Sequence, residues 1–164
     1  MGIGIGDSLP AVSLFEMTTA GPVEVVMSAL AVGRRVVLFG LPGAFTPTCS
    51  ARHLPGYLML ADKLRLRRVE DIVCVAVNDV YVVGAWGREQ QTEGKIRMLA
   101  DGNGDFARAI GVPADLSSYG MGLRSKRYSM LIDDGIVKAF NVEDPGKFEV
   151  SDAETMIYQI DRLR

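Results

Sequence analysis

Two continuous apolar runs stand out from the polar background in the first half of the chain. Val36-Val37-Leu38-Phe39-Gly40 is β-branched and aromatic and ends in Leu41-Pro42-Gly43, the pattern of a buried central strand entering a loop. Ile72-Val73-Cys74-Val75-Ala76-Val77 is again continuous rather than alternating, which predicts a strand covered on both faces. The segment between them is long enough for a crossover helix, so the two strands are expected to be parallel. Further on, Tyr128 to Ile132 and Ile136 to Phe140 flank Asp133-Asp134-Gly135, where Asp-Gly supplies the positive φ angles of a tight hairpin turn. From Ser151 onward, Ser151 and Glu154 stand in capping-box spacing ahead of Met156, Ile157, Ile160 and Leu163 at helical intervals, which predicts an amphipathic C-terminal helix packed on the sheet.

Parallel strands joined by a helix, then a hairpin and a closing helix, predict an α/β fold: a mixed central sheet of the thioredoxin-like kind with flanking helices and an N-terminal extension. No internal repeat or low-complexity tract divides the chain. Asp101-Gly102-Asn103-Gly104-Asp105 is too short for an interdomain linker, so residues 1–164 are expected to form one domain.

Composition agrees with that reading and removes several function classes. The 164 residues are 48% hydrophobic and 23% charged, as in one soluble globular domain. A formal net charge of -2, with acidic and basic residues interspersed, offers no broad basic field for nucleic acid. Met1 to Pro10 lacks a basic segment followed by an apolar one, and no stretch reaches the ~18 consecutive apolar residues of a membrane span, so a cytoplasmic setting is expected. Two cysteines, Cys49 and Cys74, are too few for a disulfide framework, and both are read as reduced thiols.

The candidate chemistry lies in Pro42-Gly43-Ala44-Phe45-Thr46-Pro47-Thr48-Cys49. Thr46 is a natural N-cap, Pro47 suits the first helical position, and Cys49 then falls in the first turn. Unpaired backbone N–H groups and the positive end of the helix dipole favour a thiolate there. The same residues also fit a small buried cysteine near a helix start.

The string Pro-x-x-x-Thr-x-x-Cys resembles the active-site signature of peroxiredoxins, and its continuation through Ser50 to His53-Leu54-Pro55-Gly56 is similar to the type II (five-type) subgroup. Val77-Asn78-Asp79, Trp86-Gly87, Leu99-Ala100-Asp101 and Lys126-Arg127-Tyr128-Ser129 extend the resemblance over nearly the whole chain. It implies a thiol peroxidase that reduces hydrogen peroxide and organic hydroperoxides without metal, haem or flavin. Cys49 would be the attacking cysteine, Thr46 and Arg127 its polar partners, and Pro42 a shield against water. The sulfur becomes a sulfenic acid as the O–O bond breaks, and Arg127 and backbone amides would hold the developing charge. Arg124 is read as a secondary pocket or structural group. A homodimer is implied as well.

A sulfenic acid is resolved by a second thiol. Cys74 sits mid-strand among apolar residues and is read as a buried structural thiol. Gly146-Lys147-Phe148-Glu149-Val150-Ser151, where some five-type members carry a resolving cysteine, has none. An external thiol is therefore implied, glutathione with glutaredoxin ahead of thioredoxin.

His53 and Cys49 could share a helix face, but one histidine without an orienting third group is an incomplete triad, and two ligands an incomplete zinc site. A local hydrogen bond or a subunit contact is expected for His53. Asp101-x-Asn103-x-Asp105 begins like a calcium loop, yet Phe106 and Val112 stand where glycine and a bidentate Glu belong. Gly2-x-Gly4-x-Gly6 follows no strand and reads as flexible backbone. The alternative from another class is a redox-sensing or interaction module that forms mixed disulfides with partner proteins through Cys49.

Overall fold

The computed structural model describes residues 2–163. Its chain runs β1 (Ser13–Thr18), β2 (Gly21–Val26), α1 (Met27–Leu30), β3 (Arg35–Leu41), a π-helical turn (Cys49–His53), α2 (Leu54–Met59), α3 (Ala61–Arg65), β4 (Asp71–Ala76) and α4 (Val80–Glu89). It continues with β5 (Arg97–Ala100), α5 (Asp105–Ala109), β6 (Pro113–Asp115), β7 (Leu123–Ser125), β8 (Tyr128–Asp133), β9 (Ile136–Val142) and α6 (Ala153–Arg162). A mixed sheet in the order β2-β1-β5-β4-β3-β8-β9 forms the centre, and β6 and β7 make a separate ribbon.

The apolar runs become the two middle strands. β3 and β4 pair in parallel with Phe39 opposite Cys74, and β5 lies parallel on the other side of β4. Their continuous hydrophobicity serves two cores, because successive side chains point to opposite faces. Val37, Phe39, Leu41, Ile72, Cys74 and Ala76 face one core, with Trp86 of α4 and Met156 of α6. Val36, Leu38, Val73, Val75 and Val77 face the other, with Met27 of α1 and Phe106 of α5. β8 and β9 form the expected hairpin, turning through Asp134 (φ 49°) and Gly135 (φ 80°) with a bulge at Leu131/Ile132.

Two local expectations change. Asp152, not Ser151, caps α6: its carboxylate accepts from Thr155 N at 3.1 Å, while Ser151 is drawn into contacts with Glu143. The N-terminal glycines are tied rather than free, since Gly6 N–H donates to Val137 O at 2.9 Å and Ser8 bridges Ile136. The Asp101 carboxylate, buried, accepts from Phe106 N and Ala107 N and so starts α5.

Candidate functional site

β3 delivers the chain to the candidate site at Leu41. The following loop is held from the end of β4, where Asn78 Oδ1 accepts from Ala44 N at 2.8 Å. Gly43 is packed closely here, and a Cβ at that position would lie 2.9 Å from Arg124 Nη1. Phe45 adopts φ 64°, a left-handed conformation that costs a non-glycine residue about 1–2 kcal/mol. That turn reverses the chain so that a helix can begin at Pro47.

Thr46 occupies the cap position through its backbone, its carbonyl accepting from Ser50 N at 2.9 Å. Its hydroxyl does not cap; it donates to Gly43 O at 2.8 Å. Cys49 is the third helical residue, fully buried, and opens the π-helical turn, in which Leu54 N–H donates to Cys49 O. Pro55 accounts for the widening, because it has no N–H to donate to Ala51 O and its ring would crowd that carbonyl. Trp86 Nε1 donates to Ser50 Oγ at 3.0 Å and braces the same turn from α4.

Arg127, just before β8, donates from Nη2 to Cys49 Sγ at 3.3 Å and from Nη1 to His53 Nδ1 at 3.1 Å. His53 faces Ser151 O with Nε2 at 3.1 Å. A carbonyl can only accept and a guanidinium can only donate, so Nε2 carries the proton and Nδ1 the lone pair. Burial first, and then the Arg127 charge, hold this imidazole neutral and push its pKa down to about 3, against the opposing bond to Ser151 O. Tyr57 OH also donates to Ser151 O, at 2.9 Å, and its ring stacks on Phe39. Phe148 lies edge-on to His53, with the Arg52 guanidinium 4.7 Å from its ring centre.

The structure thus brings Arg127 directly onto Cys49 and places Thr46 at the start of the same turn. Pro42 is half-buried at the exit of β3, its carbonyl 3.5 Å from Arg124 Nη1. Arg124 also donates to Val77 O and Met121 O and is a structural tie between loops. Cys74 lies on the Cys49 face of the sheet, fully buried, and burial pushes its thiol well above the usual range. His53 is held by hydrogen bonds, but not by the local one expected of it: its partners are Arg127 and Ser151, 74 and 98 residues away in sequence. Asn78, Trp86 and Ser151 carry no local signal of their own, although Asn78 and Trp86 fall in the quoted strings. Two clefts of about 350 and 720 Å³ border Asp79 and Arg88 respectively, and neither borders Cys49.

With respect to known proteins, the Redoxin family model matches residues 5–157. The chain is 42% identical to peroxiredoxin-2E, chloroplastic, of Arabidopsis thaliana, covering 94% of this chain and 68% of that protein. It is 40% identical to peroxiredoxin-2B of the same plant, over 94% and 96%. Among solved structures, reduced Prx3 of Vibrio vulnificus in complex with hydrogen peroxide is 48% identical, with a TM-score of 0.93 over 96% of this chain and 99% of that one.

Proposed function

The chain belongs to the Redoxin family as a peroxiredoxin, a thiol peroxidase, and from that premise we propose that Cys49 attacks the peroxide with Arg127 and Thr46 as its partners. The 3.3 Å contact between Arg127 Nη2 and Cys49 Sγ at a helix start carries this reading. The sulfur forms a bond to one peroxide oxygen as the O–O bond breaks; hydroxide or alkoxide leaves and takes up a proton, and the sulfur is left as a sulfenic acid. The guanidinium holds charge along that line with fixed N–H donors. Thr46 spends its proton on Gly43 O, so its oxygen is free to accept from a peroxide O–H. Pro42, half-buried at the exit of β3, is assigned the shielding of the sulfur from water. Hydrogen peroxide as substrate is supported by the likeness to Vibrio vulnificus Prx3, whose structure contains it.

Regeneration by an external thiol belongs to the same proposal, glutathione with glutaredoxin ahead of thioredoxin. One thiol condenses with the sulfenic acid, releasing water and leaving a mixed disulfide; a second thiol then frees Cys49. The buried Cys74 and the cysteine-free stretch 146–151 support an outside reductant. A homodimer belongs to the same reading, with Phe45, 49% exposed in the Cys49 loop, as an apolar side chain for the contact, and the setting is taken as cytoplasmic.

Steady-state peroxide consumption with each reductant system, for wild type, Cys49→Ser and Cys74→Ser, tests it. Loss in Cys49→Ser alone supports external resolution and identifies the better reductant. Loss in Cys74→Ser as well would overturn external resolution, and no turnover with either system would favour the mixed-disulfide module.

A further inference from the structure

Glu143 follows β9 and is 4% exposed, yet no lysine or arginine among the described residues pairs with it. Its carboxylate is occupied by one short piece of chain. It accepts from Glu149 N at 2.8 and 3.0 Å, from Val150 N and Ser151 N at 2.8 Å, and from Ser151 Oγ at 2.7 Å. Its own N–H donates to Arg127 O at 2.9 Å.

These bonds close a circuit. From Arg127 O the path runs to Glu143 N, through the Glu143 carboxylate to Ser151, from Ser151 O to His53 Nε2, and from His53 Nδ1 back to Arg127 Nη1. The other terminal nitrogen of that guanidinium touches Cys49 Sγ. We propose that Glu143 is a positioning residue for peroxide reduction: by fixing Ser151 it fixes His53, and through His53 it aims Arg127 at the sulfur. This rests on the reading of Arg127 and Cys49 as the reacting pair.

The role calls for a carboxylate. Four N–H and O–H donors converge on two oxygens, and an amide of the same shape would turn its own NH₂ toward backbone N–H groups that need an acceptor. Glu143→Gln therefore releases the 149–151 segment at nearly constant volume. His53 then loses its fixed acceptor, and Arg127 its lateral support.

The test is stopped-flow oxidation of the reduced full chain by hydrogen peroxide, followed by Trp86 fluorescence, together with the thiolate fraction at pH 7 from absorbance at 240 nm. Both are read well below the melting temperature. In Glu143→Gln the second-order rate is expected to fall about tenfold, the factor that one lost hydrogen bond to a charged group produces, and the thiolate fraction to fall with it. His53→Gln should lower both in the same way. The double variant should lose little more than the worse single one, since both act through one path. A lower melting temperature with unchanged rate and thiolate fraction would reduce Glu143 to a structural tie and overturn the proposal, as would losses that multiply in the double variant. If Glu143→Gln does not fold, Glu143→Asp, which keeps the charge, is read by the same criteria. Arg127→Gln separates the two levels: if it keeps full activity, the reading of the site fails, whereas loss there with none in Glu143→Gln sinks this inference alone.

Discussion

Acid should destabilise this protein well before its carboxylates titrate, and one side chain should account for most of the effect. His53 is the only histidine in the chain. Its folded pKa lies at about 3, against an ordinary value of 6.5 in the unfolded chain. Between those two values the unfolded state binds a proton that the folded state refuses, so stability falls as pH drops below 6.5. Integrated from pH 7 to pH 5, that linkage removes about 2 kcal/mol of unfolding free energy. The assay is urea unfolding at pH 7, 6 and 5, in a Cys49→Ser background so that the thiol does not contribute, with and without His53→Gln. The histidine-containing protein should lose about 2 kcal/mol across the range, and the glutamine variant, although weaker at every pH, only a small part of that. Equal slopes in the two proteins would refute the reasoning, because the imidazole would then be open to protonation in the folded state.

Other expectations are more local. Gly40→Ala places a Cβ 2.1 Å from the buried Tyr128 ring and should cost at least about 1–3 kcal/mol in urea unfolding. Arg127→Lys replaces a fork that spans His53 and Cys49 with a single ammonium, and the peroxide rate should fall about 10–100-fold in stopped-flow measurements with the fold intact. Asp152→Ala removes the cap of α6 and should cost about 1 kcal/mol, visible as a lower urea midpoint at unchanged slope.

What could be read in advance was local in sequence. The cysteine's place in a first helical turn follows from Thr46, Pro47 and Cys49 standing in order, and the middle strands from runs too apolar to face water on either side. Asp134-Gly135 announced its turn because few other pairs tolerate its angles. The α6 cap falls one residue later than the Ser151/Glu154 spacing predicts, because the contact with the distant Glu143 takes the Ser151 side chain away and leaves Asp152 to accept from Thr155 N. Thr46 was placed correctly but its hydroxyl was not, since the positive φ of Phe45 brings Gly43 O within reach. The His53 contacts with Arg127 and Ser151 join residues 74 and 98 positions apart, and no periodicity encodes such pairings.

The widened turn at Cys49–His53 amounts to a change of rotational phase along one helix. In a regular α-helix each residue advances by about 100°, so Cys49 and Leu54 would point some 140° apart. The one extra residue in the turn cancels most of that offset, and Cys49 is buried on the same side as Leu54 and Tyr57. The segment from Leu54 onward can thus keep the azimuth that suits the sheet, while the reactive turn before it is indexed separately. Regular α winding of these same residues would restore the offset of about 140° and swing the sulfur out of line with Arg127, although every residue of the site were kept.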